Sequence, residues 1–148
     1  MLMSSTGYKT SILGSQSFAD IFNGGTIHIY SANRPLLADS PAPEAFRIAQ
    51  INRAGFDGGL LFAQNGPYIQ PPPAQSWEID VSVTGNALWF RLMSAADTND
   101  PSYTQARIDG DVATAAGLGE LILQSSSLVA GTALPVDYFL FTIAPYLG

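Results

Sequence analysis

In SWEIDVSVTG, residues 76–85, Trp77, Ile79, Val81 and Val83 alternate strictly with Glu78, Asp80, Ser82 and Thr84. Alternation with period two puts one set of side chains on each face of an extended strand. A chain patterned this way must bury one face of a sheet, and a helical reading would scatter the same apolar residues around the axis. Gly85-Asn86 follows as a turn signal, and ALWFRLMSA continues with Leu88, Phe90 and Leu92 on one face and Trp89, Arg91 and Met93 on the other. Two strands about a Gly-Asn pair predict a β-hairpin, with Trp77 and Phe90 inside and Trp89, Arg91 and Met93 pointing outward.

The same logic marks strands at TIHIYS (26–31), AFRIAQI (45–51), GLLFAQ (59–64), ARIDGDVAT (106–114), GELILQSS (119–126) and VDYFLFTIAP (136–145). The alternation slips within 45–51, which predicts a bulge. The run at 136–145 is nearly all apolar, as in a strand buried on both faces, and its β-branched and aromatic content favours a strand over a buried helix. One short helix is expected in SQSFADIFNGG (15–25), with Ser17 as cap, Asp20 in its first turn and Asn23-Gly24-Gly25 as its end. Residues 1–14 lack periodicity and predict an extended arm, disordered or laid on a neighbour. Pro71-Pro72-Pro73 reads as a stiff connection between sheets. The expected fold is all-β: a single β-sandwich or jelly-roll-like domain over 15–148, an extended N-terminal arm over 1–14, and at most one short helix.

Composition narrows the function classes. The chain has 148 residues, enough for one core, and no cysteine, so disulfides, thiolate nucleophiles and cysteine metal sites are excluded. Charged residues are 12 %, about half the usual share. A surface so poor in charge suits a protein covered by neighbours, or a solvated β domain with a neutral polar surface. The formal net charge is −6, and Lys9 and five arginines are scattered; direct nucleic-acid binding, which needs clustered cations, is not expected. No apolar run approaches the ~20 residues of a membrane-spanning helix, and the first residues lack the charged start and apolar stretch of a signal peptide.

Individual residues offer little chemistry. His28, the single histidine, would have to serve any Ser-His-Asp triad, yet no G-x-S-x-G elbow accompanies it; it reads as an exposed or interface histidine. Glu78 and Asp80 share a strand face roughly 7 Å apart, a separation compatible with an inverting glycosidase pair and equally with a solvent-facing strand. Asp109 and Asp111, with Asp97, Asn99 and Asp100, offer oxygens to a calcium ion without EF-hand spacing; acidic turn residues explain them as well. The outward Trp89-Arg91-Met93 row is a candidate protein contact surface, or a face turned toward a second layer.

The order of several pieces resembles a family of small tailed-phage virion proteins. GTIHIYSANRP is followed by the Ala/Pro-containing LLADSPAPEAF and a second apolar strand. Ala87-Leu88-Trp89-Phe90-Arg91, Gly110-Asp111, GELILQSSSL and a closing FTIAP (141–145) come later. The likeness runs over most of 15–145; the segment 33–44 departs from it in lacking a Thr-Gly run, and Pro71-Pro72-Pro73 is a second departure. The resemblance implies a non-enzymatic virion protein without cofactor. The expected role is a capsid decoration (cement) protein on the outer shell, assembled in the host cytoplasm, with the major capsid protein and copies of itself as partners in a dimer or trimer. A neck or tail protein is the alternative within that class. A glycan-binding module using Trp89, and a glycosidase using Glu78 and Asp80, are the alternatives outside it. Under the first reading the Pro-stiffened loop 31–44 lies against another chain, and the candidate interface is Ser31, Asn33, Arg34, Pro35, Leu36, Leu37, Trp89 and Arg91.

Overall fold

A computed structural model describes residues 2–56, 59–114, 120–136, 138–139 and 141–142. The elements in chain order are β1 (Met3–Ser4), α1 (Thr6–Leu13), α2 (Phe18–Phe22), β2 (Thr26–Tyr30), a 3-10 turn at Glu44–Phe46, β3 (Arg47–Arg53), β4 (Ala63–Asn65), β5 (Tyr68–Gln70) and β6 (Trp77–Val81). There follow β7 (Gly85–Asn86), β8 (Trp89–Met93), β9 (Arg107–Ala113), β10 (Leu121–Ile122), β11 (Ser127–Leu128), β12 (Ala133–Pro135), β13 (Tyr138–Phe139) and β14 (Phe141–Thr142). The chain is all-β with little helix.

The main sheet runs in the order β12-β6-β3-β2-β8-β9-β10-β13, with β1 added to β9; β11-β7 and β14-β5-β4 form two smaller sheets. Among the described residues, all pairings are antiparallel except that of β9 with β10. A register shift between Ile29 and Tyr30 breaks the β2–β3 ladder, as the slipped alternation of 45–51 predicts. Pro71–Pro73 carries the chain from the small β4–β5 sheet to β6 in the main one.

One face of the main sheet is apolar. The register aligns Ile27 with Ile51 and Leu92, Ile29 with Ala49 and Phe90, and Ile51 with Ile79. Helices α1 and α2 and the segment before β4 close this face through a run of rings. Tyr8 stacks on Phe22 at 5.7 Å, Phe22 lies 4.8 Å from Phe18, Phe18 5.3 Å from Phe62, and Phe62 5.4 Å from Trp77. All five rings are buried in one continuous core, which is where most of the hydrophobic stabilisation arises.

Three expectations require correction. The first 14 residues are not an extended arm. They hold β1 and the eight-residue α1, so the described residues contain two helices rather than at most one. Ser5 caps α1 by accepting from the Tyr8 amide, and its hydroxyl also accepts from the Arg107 amide and donates to the Gln105 carbonyl. The helix exists because it is docked; its sequence carries no apolar stripe that would have announced it. Helix α2 does follow the sequence signal, with a complete capping box between Ser17 and Asp20 and Gly24 at φ +85° after its end.

The second correction concerns the hairpin. β6 pairs with β3 and β12, and β8 pairs with β2 and β9, so two strands lie between the expected partners. Gly85 and Asn86 pair with Leu128 and Ser127 instead, and neither residue has positive φ, the backbone state a two-residue hairpin turn demands. Segment 82–88 crosses the sheet end, donating from Ser82 and Val83 to the Ile48 carbonyl and from Leu88 to that of Tyr30. Gly85 serves close approach there: an added Cβ would lie 3.3 Å from an Ile48 methyl.

The third concerns Arg91 and His28, expected to face outward and buried here at 0 % and 7 % exposure; Trp89, at 2 %, follows its other reading, a face turned toward a covering layer. The double-faced burial expected for 136–145 lies largely outside the described residues.

Candidate functional site

The second face of the main sheet is polar in sequence and closed in space. The register places His28 opposite Arg91, Tyr30 opposite Trp89, Arg91 opposite Asp109 and Met93 opposite Arg107. Two long segments, 31–46 and 94–106, cover this face. Alternation correctly assigned these side chains to one face, but it carries no information on what lies over that face.

Two buried ion pairs hold the cover. Arg91 Nε and Nη2 donate to the two oxygens of Asp109 at 2.7 and 2.9 Å, and its Nη1 donates to the Ser40 carbonyl at 2.8 Å and to Asn99 Oδ1 at 3.1 Å. Arg107 Nε and Nη2 donate to Asp97 at 2.7 and 2.8 Å, Nη2 also reaches the Asp100 carbonyl, and Nη1 reaches that of Asp39 at 3.1 Å. All four side chains of these pairs are fully buried. Charges taken from water survive only when paired and fully hydrogen-bonded, and here the bonds run to the backbone of both covering segments. Burial pushes the Asp109 carboxyl up, and the hydrogen bonds and charge of Arg91 oppose that shift.

Further links complete the closure. Asn99, in the left-handed region at φ 63°, bridges the segments: its side chain bonds the Ala42 amide and carbonyl and Glu44. The Asp39 carboxylate accepts from the amide and hydroxyl of Thr6 at 2.7 Å each, tying the loop to the start of α1. Trp89 stacks on Tyr30 with centroids 4.5 Å apart and donates to the Ala32 carbonyl; Tyr30 donates to Glu44.

Segment 31–46 is thus a rigid flap, and its tip is bare. Leu36 is 93 % exposed and Leu37 60 %. Of the expected interface residues, Asn33, Leu36 and Leu37 are exposed, while Ser31, Arg34 and Pro35 are half-buried, with Arg34 3.6 Å from Asp111. Trp89 and Arg91 are anchors under the flap rather than contact surface. The anchoring role of Arg107, Asp97 and Asp39 was not read from the sequence. Its signal was present: arginines in the middle of the apolar runs WFRLM and ARIDG, in a chain that uses charge sparingly.

The remaining candidates sit as follows. His28 lies beneath the flap edge, with Arg47 Nη1 3.4 Å from both ring nitrogens. Burial first and Arg47 second push its pKa down to about 4, against Glu44, Asp97 and Gln50, which raise it. A base whose folded-state pKa is depressed loses stability as pH falls from its ordinary 6.5 toward that lowered value, because the unfolded chain binds the proton first. The expected loss is about 3 kcal/mol across that window. Denaturation of the wild type and His28→Gln from pH 7 to 4 checks this: the wild type should lose stability relative to the variant, and parallel profiles would contradict it. Asp80 accepts from Asn52 at 2.6 Å and Glu78 from the Gly55 amide at 3.5 Å. Asp97 and Asp109 are taken by arginines, and among the described residues no three His, Cys, Asp or Glu side chains are grouped to hold a metal ion.

No family model, curated protein or solved structure matches the chain. Among the described residues no helix is long and apolar enough to cross a membrane.

Proposed function

We propose that the chain is a non-enzymatic structural protein of a tailed-phage virion, a decoration protein that binds the outer shell in many copies and braces contacts between capsid subunits. The residue likeness of 15–145 supplies the class. The observation that carries the role is the Leu36–Leu37 tip on a flap pre-ordered by two buried ion pairs. Exposed leucines gain nothing in water, and a segment already held in place loses little entropy on docking. Repetition over a symmetric shell multiplies a modest contact into stable attachment. Trp89, stacked on Tyr30 under the flap, offers no platform to a sugar ring, which disfavours the glycan-binding alternative that relied on it.

The test is quantitative gel analysis of purified particles, with wild type and Leu36→Asp/Leu37→Asp. Wild-type copy numbers comparable with the major shell protein, and a strong loss of the variant from particles at unchanged melting temperature, are the expected results. A few copies per particle would place the protein at the neck or tail instead, and absence would overturn the virion reading. Point changes at the tip are preferable to deleting 35–43, because the deletion would remove the Asp39 and Ser40 groups that hold Arg107, Arg91 and Thr6.

A further inference from the structure

Four of the five arginines sit against a carboxylate: Arg34 on Asp111, Arg47 on Glu44, Arg91 on Asp109 and Arg107 on Asp97. Arg53 is the exception. Among the described residues its guanidinium has no carboxylate partner, and its buried Nε has no hydrogen-bond partner. One face of the group lies 3.9 Å over the Phe56 ring. That Nε lies out of a ligand's reach, so an incoming group meets the outer Nη atoms, which are not buried, and a carboxylate is the acceptor that the planar guanidinium fits best.

Arg53 lines a cleft of about 490 Å³ at the end of β3, with Phe56, Leu61, Pro72, Ala74, Gln75 and Ser76. The rim is apolar and open, Phe56 being 59 % and Leu61 42 % exposed. The Gln75 side-chain oxygen Oε1 is occupied, accepting from the Leu61 amide and the Trp77 indole, so the cleft wall is braced and, among the described residues, Arg53 is its cation. An open apolar rim around one cation does not engulf a small molecule, most of whose surface a dedicated pocket would bury. It suits a side chain projecting from another polypeptide.

We propose that this cleft is a docking site for an acidic residue flanked by an apolar one on a partner polypeptide, the carboxylate bound by Arg53 and the apolar neighbour resting on Phe56 and Leu61. The site stands apart from the flap and does not depend on the virion reading.

The probe is the peptide N-acetyl-Asp-Leu-amide, with the Asn-Leu counterpart and acetate as controls, titrated into the full chain while the arginine Nε–H signals are followed by NMR. The Arg53 signal, assigned by its disappearance in Arg53→Gln, should shift saturably with the Asp peptide. The Asn peptide and the Arg53→Gln variant should each bind about tenfold more weakly or worse. Equal responses to the Asp and Asn peptides, or undiminished binding to Arg53→Gln, would overturn the proposal. So would a full response to acetate alone, or binding that emerges only after Asp57→Asn, which would make the occupant a carboxylate of the chain itself.

Discussion

Arg91→Met with Asp109 left in place should destabilise the protein by about 3–5 kcal/mol, because it strands a fully buried carboxylate without its partner. The Ser40 carbonyl and Asn99 Oδ1 lose a donor in the same step. The double variant Arg91→Met/Asp109→Leu should recover much of that loss, since a buried pair replaced by apolar groups is often neutral. Burial alone already works against the charged Asp109, so the pair's main contribution is not net stability. What it contributes is attachment of the flap. In the double variant, amides of 36–46 should therefore exchange faster even where global stability has returned. Equilibrium denaturation and hydrogen exchange check both parts. A single variant within about 1 kcal/mol of wild type would show that the pair is not desolvated as described.

Gly7→Ala should cost about 3 kcal/mol or more. A Cβ at this position would lie well inside van der Waals distance of the Thr104 and Gln105 carbonyl oxygens. These are backbone atoms of the covering segment 94–106 and cannot swing aside as a side chain would. The first turn of α1 is held there by Ser5 on Gln105 and Arg107 and by Asp39 on Thr6, so the clash should lift α1 from the sheet and open amides 6–13 to exchange. Leu13→Ala in the same helix, at a side chain 85 % exposed, should change stability by less than about 0.5 kcal/mol. Equal melting temperatures for Gly7→Ala and wild type would mean that the N-terminal segment is not docked. The comparison separates a packed helix from the loose arm expected of residues 1–14.

The contrast between these two sites shows where reading the chain succeeds. Helix α2 was legible because its capping box is local chemistry: Ser17 and Asp20 satisfy each other's end of the first turn. The bulge beside Ile29 was legible because a slipped alternation must move one residue out of register. Helix α1 was not legible, because its stability comes from carbonyls and amides about one hundred residues away. The β6–β8 hairpin failed for a related reason. Gly85-Asn86 has the composition of a tight turn, yet its backbone pairs with β11, and β3 and β2 fill the place of the expected partner strand.

Local alternation was enough to make the chain all-β and to say which side chains share a sheet face: Ile27 with Ile29, and Trp89 with Arg91 and Met93. Those properties depend on a period of two along one strand. That the polar face is roofed, that Arg91 and Arg107 clamp the roof, and that Leu36 and Leu37 are left bare at its tip came from the packing of distant segments. Burial is a property of what lies above a face, and that is set by contacts between segments far apart in the chain, which no local pattern encodes.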